Sequence, residues 1–275
     1  MALQHTNAEI AAEWRRICVS PYMWRPCVDQ AGVITGEAGG YWVEAHGFPR
    51  RGYLKPANSH PDEHTHYRAA REKIACDVAC DLSLSLPPAL LTTRDNPPSG
   101  CTACVVVTLV MYPAQWNWAT VRTHTIDPTP VGAAMAGALA RCSAMLAFDT
   151  WVAQTDHGDH PDNIVWGYDP AALGDSAIVF LDYANALGFN GQWTAGQWQQ
   201  TQAAQWPPLL LKYLDKSLVE AMVARIEAFP EATIREIVSR IPDSHLPQVE
   251  KGIVTEGLAC RRSLVRDALR SVLQV

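Results

Sequence analysis

The sequence has few charged residues and no extended basic region. Only 18% of its 275 residues are Asp, Glu, Lys or Arg, below the roughly one quarter that is usual for soluble domains. In contrast, 48% are hydrophobic, which excludes a disordered chain and is enough for one large domain or for two lobes that share a cleft. The net charge is −6, and the basic residues are scattered, so the positive surface that binds phosphate backbones is missing. We expect no nucleic-acid partner.

Signals for export and for membrane insertion are also missing. The N-terminal segment MALQHTNAEIAAEWRR is amphipathic and contains acidic residues, unlike a secretory signal peptide. The longest apolar run, around residues 103–112, is too short to cross a bilayer, and its β-branched residues are typical of a buried strand. We therefore expect a soluble, cytoplasmic protein without a membrane partner.

Two further kinds of site lack the motifs that they need. The eight cysteines include one CxxC, Cys101–Cys104, but no second CxxC is present to complete a four-ligand zinc site. Without an export signal in a chain of this length, we expect buried thiols and not disulfides. The chain also contains no GKS or GKT, which excludes a Walker A phosphate loop.

The N-terminal third is rich in short β-prone runs. Residues 33–35, 41–45 and 52–57 are separated by the turn-forming sequences GEAGG and HGFPRR, and this pattern predicts a three-stranded antiparallel meander. Before it, the chain is predicted to be helical and then irregular. Apolar residues at spacings of three and four predict a helix over residues 67–82. The run CVVVTLVMY (104–112) predicts a central strand.

The remainder of the chain is predicted to be mainly helical. Residues 113–131 contain many Pro and Trp residues and are predicted to form an irregular connector. The prediction then continues with one Ala-rich buried helix, two strands and four helices separated by prolines: 132–153, 164–168, 177–183, 209–229, 231–241, 246–258 and 259–274. These elements predict an α+β chain with a β-rich N-terminal lobe (1–112) and a mostly helical C-terminal lobe (113–275).

The stretch TDHGDHPDN (155–163) concentrates three aspartates, two histidines and an asparagine in nine positions. As a metal site it would use His157 and His160, but it would need a further ligand on a fixed scaffold. As a solvated turn, its Asp and Asn side chains would bond to backbone groups. The third interpretation, a catalytic loop, depends on the residues around it.

The segments that flank this stretch favour the catalytic interpretation. A predicted helix ends at Ala153, the loop supplies Asp156 and Asn163, and the second strand of a short hairpin then delivers Asp182. This order is the layout of a phosphotransferase site, in which one aspartate orients the acceptor hydroxyl while an asparagine and a later aspartate hold Mg²⁺ on the nucleotide phosphates. Asp156 is therefore the candidate catalytic residue, and Asn163 and Asp182 are the candidate metal ligands.

Such a site also requires a cation on a strand, a carboxylate on a helix and a turn over the phosphates. Lys55 lies in the third predicted strand, and Glu72 in the next helix is its candidate partner. The GEAGG turn contains the candidate phosphate-contacting residues Gly36, Gly39 and Gly40, although glycine-rich hairpin turns are common. Taken singly, Lys55 also fits an edge strand and Glu72 a solvated helix face. Their combination with the later aspartates favours phosphotransfer.

Four segments together resemble a known family. They are FDTWVAQTDHGDHPDN (148–163), VFLDYANALGF (179–189), REKIACDVACDLSLSLPPA (71–89) and IVSRIPDSHLPQVEKGIVTEGLACRRSLVRDAL (237–269). In that order they are similar to the catalytic loop, the metal-binding strand, the glutamate-bearing helix and the C-terminal helices of the HipA-like kinases. These kinases are a compact bacterial branch of the protein-kinase-like fold. The resemblance spans roughly residues 30–272, and the first segment is its most specific part.

The resemblance implies a two-lobed protein-kinase-like fold with a small antiparallel β-rich N-terminal lobe and a larger, mostly helical C-terminal lobe. It also implies ATP and Mg²⁺ as cofactors and transfer of the γ-phosphate to a hydroxyl of an unknown protein or small-molecule acceptor, with protein Ser or Thr as the family-weighted case. In that family the catalytic role would fall on Asp156 and the Mg²⁺ ligands would be Asn163 and Asp182. The phosphate-binding lysine would be Lys55, with Glu72 as its partner.

One departure from the family pattern leaves two aspartates open. Asp156 is seven positions before Asn163 and Asp159 is four positions before it, and neither matches the usual spacing. Counting from the start of the FDTW segment favours Asp156, with His157-Gly158 as an inserted pair, and Asp159 stays the alternative. The departure also leaves a second hypothesis, a pseudokinase that binds nucleotide and presents its helical C-terminal part to a partner. A metalloenzyme that uses the two histidines is the third.

Overall fold

The structure, a computed structural model, describes residues 19–27, 40–46, 51–56, 67–95, 103–124, 129–188 and 201–273. The strands in these ranges are β1 (Trp24–Pro26), β2 (Tyr41–Ala45), β3 (Arg51–Pro56), β4 (Ala89–Thr93), β5 (Cys104–Leu109), β6 (Ala114–Asn117), β7 (Ile164–Asp169) and β8 (Ala172–Phe180). The helices are α1 (Arg68–Asp81), α2 (Trp118–His124), α3 (Pro130–Arg141), α4 (Ala144–Val152), α5 (Pro208–Lys212), α6 (Lys216–Glu227), α7 (Glu231–Ser239), α8 (Gln248–Arg261), α9 (Val265–Ala268) and α10 (Arg270–Leu273).

Strands β1 to β5 form an antiparallel five-stranded sheet in the order β1-β2-β3-β5-β4. The inner strand β5 is buried along its whole length, because successive side chains pack on opposite faces of the sheet. Val105 and Val107 join an apolar cluster formed with β1 to β4. Cys104 and Val106 join the larger cluster that includes α1. Helix α1 therefore covers one face of this sheet.

Helix α1 is buried on nearly all sides, and only three of its 14 residues are not buried. Its many alanines allow close packing against β4 and β5. Its buried charged residues must therefore be paired inside the protein. Lys73 Nζ lies 2.7 Å from Asp77 Oδ1 one turn later, and Glu72 is paired in the site described below.

Strands β6 to β8 form a second antiparallel sheet, in the order β6-β7-β8, within the helical C-terminal lobe. Helix α3 packs on β8, and α4 packs on α6. Helix α4 is buried from Met145 to Val152 and lies in the largest apolar cluster. In the described ranges no single helix is long and apolar enough to cross a membrane, and only the pair α3–α4, bent by 45°, has the required length and composition together.

The predicted α+β architecture, with a β-rich N-terminal lobe and a helical C-terminal lobe, is confirmed. The predicted strands at 41–45 and 52–57 correspond to β2 and β3, whereas residues 33–35 lie outside the described residues. The boundary predicted after residue 112 falls in the short connection between β5 and β6. It stays a prediction.

Several local predictions were wrong. Strand β1 lies where an irregular segment was predicted, and β4 begins directly after the proline pair that ends the helical region. The predicted irregular connector contains β6 and α2. The predicted helix over 132–153 is two helices, α3 and α4. At the break, Cys142 Sγ and Ser143 Oγ donate to the carbonyls of Leu139 and Ala140, and such side-chain bonds compete with helical ones.

Candidate active site

A lysine and two carboxylates, here called the Lys55 group (Lys55, Glu72 and Asp182), meet between the two lobes. Lys55 Nζ lies 3.1 Å from both carboxylate oxygens of Glu72 and 3.2 Å from Asp182 Oδ1. The Glu72 side chain is 1% exposed, the Lys55 side chain 13% and the Asp182 side chain 34%. The group therefore has a sealed end at Glu72 and an open end at Asp182.

Sheet register places Lys55 opposite Glu72. In the β3–β5 pairing Lys55 lies directly across from Val106, and directly paired residues of antiparallel strands share a face. Because Val106 packs in the α1 cluster, the side chain of Lys55 also points toward α1. Thr108, two residues further along the same face, donates a hydrogen bond of 2.6 Å from Oγ1 to Glu72 Oε1. Strand alternation thus supplies both partners of the buried carboxylate.

The pKa values in the Lys55 group reflect this pairing. Burial alone would lower the pKa of Lys55, but Glu72 and then Asp182 raise it above its ordinary value. Burial raises the pKa of Glu72, and Lys55 opposes that effect only in part. Burial would also raise the pKa of Asp182, but Lys55 lowers it below its ordinary range. Lys55 is thus a stable cation, and Asp182 an ionised carboxylate able to bind a second cation.

The chain around Asp182 has a backbone conformation that aims its side chain at Lys55. Asp182 follows β8 with φ 62° and ψ 71°, in the left-handed region that aspartate tolerates better than most residues. Its Oδ1 accepts a hydrogen bond from the backbone N–H of Ala184, and its carbonyl oxygen accepts one of 2.8 Å from Gln154 Nε2. The turn Tyr183–Asn185 that follows packs against α1, the helix that carries Glu72.

Asp156 lies on the loop after α4 and is tied to the same turn. Its Oδ2 accepts a hydrogen bond of 3.2 Å from Asn185 Nδ2, and its Oδ1 lies 3.4 Å from His160 Nε2. The backbone N–H of His160 also donates to the Asp156 carbonyl, which closes the loop into a turn. Asp159, the alternative catalytic residue, is exposed. The structure therefore joins Asp156 to the segment that carries Asp182.

Asn163 reaches the same end of the β7–β8 hairpin as Asp182. It precedes β7, and its carbonyl oxygen accepts a hydrogen bond of 2.7 Å from the backbone N–H of Leu181. Ile164 then pairs with Phe180. Among the described residues, no group of three or more His, Cys, Asp or Glu side chains forms a metal site. The oxygen atoms of Asn163 and Asp182 are of the kind that Mg²⁺ prefers, and such sites are usually completed by phosphates and water.

A second polar cluster, here called the Asp149 cluster (Asp149, His157, Tyr183 and Trp206), lies behind the loop. Asp149 is fully buried and accepts hydrogen bonds from Tyr183 Oη at 2.7 Å and from Trp206 Nε1 at 2.9 Å. His157 Nδ1 lies 2.9 Å from Asp149 Oδ2, and His157 Nε2 lies 3.1 Å from the carbonyl oxygen of Leu181. Both ring nitrogens thus face acceptors, so His157 has no ring nitrogen left for the metal ion of the metalloenzyme hypothesis.

The charge on His157 follows from the same contacts. Burial would lower the pKa of His157, but Asp149 raises it above its ordinary value. An imidazolium donates from both nitrogens, which agrees with acceptors on both sides of the ring. We conclude that His157 joins α4 to the end of β8, and that the loop between Ala153 and Ile164 is positioned by this buried pair.

Arg261, at the end of α8, fixes the other side of α4. Its Nε donates 2.7 Å to the carbonyl oxygen of Trp151, and its Nη2 donates to that of Thr150. Trp151 Nε1 in turn donates to the carbonyl of Leu258 in α8. Arg261 therefore satisfies carbonyls in the last turn of α4, which a helix leaves without partners. Arg261, which lies in the fourth segment of the sequence resemblance, thus supports the start of the candidate catalytic loop.

The sequence analysis placed five site residues that the structure brings near one another and missed several that hold them. Asp149 lies in the FDTW segment and Asn185 three positions after Asp182, so both were inside recognised motifs. Thr108 and Trp206 had no motif to mark them, because their role arises from packing. Of the candidate glycines, Gly36 and Gly39 lie outside the described residues.

Gly40, the last candidate glycine, precedes β2. A Cβ atom there would lie 2.6 Å from the ring of Tyr53, closer than any real contact. A larger residue at this position would therefore require the ring of Tyr53 to shift. Contact of the GEAGG turn with phosphates stays a prediction.

Comparisons with known proteins give a structural match and no sequence match. No family model and no curated protein matches the sequence. The crystal structure of a Helicobacter pylori proinflammatory kinase, CtkA, matches with a TM-score of 0.61 and 15% identity over 94% of this chain and 98% of that chain. WaaP in complex with acyl carrier protein matches with a TM-score of 0.39 and 11% identity over 89% and 90%, too low a score to carry an argument.

The match to CtkA shows the fold, since function does not follow from a fold at such low identity. The chain has a protein-kinase-like fold, as predicted. The finer resemblance to the HipA-like kinases is not established by these comparisons and stays a prediction.

Proposed function

We propose that the protein is an ATP- and Mg²⁺-dependent phosphotransferase that moves the γ-phosphate of ATP to a hydroxyl group. The observation that carries this proposal is the Lys55 group, which lies between the lobes of a protein-kinase-like fold. In kinases, a strand lysine held by a helical carboxylate contacts the nucleotide phosphates, and an aspartate after a β-hairpin binds metal. The acceptor that we propose is a Ser or Thr side chain of a protein.

Each candidate residue has a separate part in the proposed reaction. Lys55, held by Glu72, would offset the negative charge of the nucleotide phosphates. Asn163 and Asp182 would supply oxygen ligands to Mg²⁺, which would offset the negative charge of the phosphates during transfer. Asp156 would orient the acceptor hydroxyl and accept its proton.

Support for Asp156 over Asp159 comes from its contacts. Asp156 is held by Asn185, three residues after the candidate metal ligand Asp182, whereas Asp159 is exposed on the outside of the turn. A catalytic base must have a fixed position relative to the reacting atoms. We therefore propose that Asp156 is the base and that the two additional residues in the loop displace Asp159 outward.

The second candidate function is a nucleotide-binding protein without efficient transfer. It is favoured by the contact of 3.2 Å between Lys55 and Asp182 Oδ1, because that contact occupies one of the two carboxylate oxygens of the candidate metal ligand. For phosphotransfer, nucleotide binding must move Lys55 from Asp182 to the phosphates while Glu72 keeps its hold. If Lys55 stayed on Asp182, the protein would bind ATP weakly, or it would bind ATP and not transfer the phosphate.

The experiment that separates these functions measures release and transfer of the γ-phosphate from ATP in Mg²⁺. We expect turnover by the wild-type protein and a loss of roughly 10²-fold or more for Asp156→Asn, the range found for a lost general base. Asp159→Asn is the matched control, since it removes the same charge from the same loop, and we expect it to remain active. Full activity of Asp156→Asn would contradict the assignment, and ATP binding without turnover by the wild type would favour the second candidate.

A further inference from the structure

A basic groove lies beside the candidate catalytic loop. It is a cavity of about 580 Å³ between α2, the loop after α4 and the start of α5, within the usual size range of ligand-binding clefts. Among the described residues that line it, the charged ones are Arg122 of α2 and Lys212 of α5, and none of these residues is acidic. In a protein with a net charge of −6, a cavity whose two charged lining residues in the described ranges are both cationic is a departure from the average surface.

The basic groove is built on the loop that carries Asp156. Gly158 and Pro161 of that loop form part of its wall. A Cβ atom on Gly158 would lie 2.9 Å from Gln205 Cβ and 3.0 Å from the Gln205 carbonyl oxygen, so the segment leading to α5 packs directly on the loop. An extended chain rises about 3.3 Å per residue, and Gly158 is two positions from Asp156. A molecule in the groove would therefore lie within a few residues' length of the candidate base.

The groove is held in place by the same buried contacts as the catalytic loop. The Trp206 indole donates to Asp149, and the backbone N–H of Ala204 donates 3.0 Å to Thr150 Oγ1. These two bonds fix the segment before α5 to helix α4. Trp118 of α2, which is buried, completes the groove on the opposite side. The positions of the groove and of Asp156 thus depend on one helix.

The walls of the groove favour carboxylates carried on a chain over a compact anion such as free phosphate. Three of its lining residues, Pro161, Pro207 and Pro208, are prolines, which have no backbone N–H to donate. A phosphate cradle depends on clustered backbone N–H groups, whereas these walls leave recognition to the long side chains of Arg122 and Lys212. Such cations reach carboxylates at several positions along an extended peptide.

We infer that the basic groove binds a peptide segment with acidic residues beside the Ser or Thr hydroxyl that accepts the phosphate. This inference rests on the proposed function, of which it specifies the substrate class. Asp159 and Asp162 are exposed and neighbour Gly158 and Pro161 in sequence, but neither lines the groove. They would repel acidic residues placed outside it, and so confine an acidic segment to the cationic side.

The test compares phosphate transfer to three synthetic peptides that carry one Ser flanked by Glu, by Ala or by Lys. We expect kcat/KM for the Glu peptide to exceed that for the Ala peptide by about tenfold, mainly through KM, and the preference to shrink as salt is raised. The substitution Lys212→Glu is expected to abolish or invert the ratio between the Glu and Lys peptides. Arg235→Glu makes the same charge change on α7, outside the groove, and is expected to keep the wild-type ratio and the wild-type ATP turnover.

The outcomes separate failure of the inference from failure of the proposed function. Equal transfer to the Glu and Ala peptides by an enzyme that turns over ATP would overturn the inference alone, as would equal ratios for Lys212→Glu and Arg235→Glu. If the protein does not turn over ATP, fluorescence anisotropy of the labelled Glu peptide provides the readout. Binding that Lys212→Glu weakens and Arg235→Glu does not would support the groove, whereas no binding, or equal competition by inorganic phosphate, would overturn it.

Discussion

Two groups of charged residues lie near the candidate catalytic loop, and they differ in how far they are exposed to solvent. In the Asp149 cluster every member is buried, and a single carboxylate accepts hydrogen bonds from three side chains. In the Lys55 group one carboxylate is sealed and the other is partly exposed. A sealed cluster whose bonds are complete fixes structure, whereas a charged group with an open end is able to exchange partners.

The difference in solvent exposure distinguishes structural aspartates from candidate catalytic or metal-binding aspartates, which the sequence alone does not distinguish. Asp149, Asp156 and Asp182 all lie within the 34 residues from 149 to 182, yet only the last two have carboxylates that solvent reaches. We therefore assign Asp149 to positioning the loop, and Asp156 and Asp182 to chemistry under the proposed function. The predictions below test whether this division holds.

The largest effect is expected for Asp149→Ala. It would leave the donors of His157, Tyr183 and Trp206 buried without an acceptor, and loss of one partner of a buried ion pair typically costs about 3–5 kcal/mol. Urea unfolding should show this as a large decrease in the free energy of unfolding. Asp182→Ala is the matched comparison, since it removes a carboxylate at the open end. It should change stability far less, and equal losses for the two variants would break the comparison.

A smaller loss of stability is expected for Arg261→Ala. This substitution removes two charge-assisted hydrogen bonds to carbonyls in the last turn of α4, and we expect a cost of about 2–3 kcal/mol. Phosphate transfer should fall as well, because the candidate catalytic loop begins at that turn. Arg270→Ala, which removes an exposed arginine of α10, is the control in the same unfolding experiment. A stability for Arg261→Ala equal to that of the control would show that the α4–α8 connection does not matter.

Lys55→Met tests the sealed end of the Lys55 group. Without Lys55, the buried carboxylate of Glu72 keeps only Thr108 as a side-chain partner, so its pKa should rise further, and we expect a loss of about 1–3 kcal/mol. The double variant with Glu72→Gln removes the unpaired charge and should recover part of that stability. Phosphate transfer should be lost in Lys55→Met and should stay absent in the double variant. A Lys55→Met protein with wild-type transfer activity would remove Lys55 from the proposed site.

The smallest expected effect is a difference in pH dependence between the two groups. The raised pKa of His157 means that its pairing stabilises the fold fully below the ordinary value of 6.5. This contribution is lost as the pH rises through the higher folded-state pKa. Relative to His157→Gln, the wild-type protein should therefore lose stability as the pH rises above the ordinary value of the imidazole.

Asp182 should show the opposite dependence. Its lowered pKa means that its contribution is present above the ordinary value of 3.8 and is lost as the pH falls through the lower folded-state pKa. Unfolding curves of the wild type, His157→Gln and Asp182→Asn across the accessible pH range measure both effects. Parallel curves for the wild type and His157→Gln would indicate that folding does not shift the pKa of His157, and a wild type that gains stability as the pH rises would indicate that His157 is neutral in the folded protein.

Much of the fold could be predicted because its elements have regular patterns. Strands β2 and β3 alternate between turn-forming segments, and β5 is a β-branched apolar run, so their periodicity identifies them. Strands β4 and β6 were missed because each lies next to prolines, which local rules associate with breaks. Their pairing with β5 and β7 is a long-range effect that no local pattern contains.

The candidate site divides in the same way. The candidate residues Lys55, Glu72, Asp156, Asn163 and Asp182 could be proposed from the sequence because a phosphotransferase site would restrict residue types and their order along the chain. The supporting residues, such as Thr108 and Trp206, are close to these side chains only because of tertiary packing. Any buried donor of suitable shape can serve as a partner, so the sequence does not identify it.

The most direct test of the account is calorimetric titration of the protein with ATP, in the presence and absence of Mg²⁺. If the Lys55 group holds a nucleotide–metal complex, ATP should bind the wild-type protein more tightly with Mg²⁺. Asp182→Asn should lose that enhancement while keeping the fold, and Asp175→Asn, an exposed aspartate of β8, should keep it. ATP binding that is equal with and without Mg²⁺, or unchanged by Asp182→Asn, would contradict the assignment of this group as the nucleotide site.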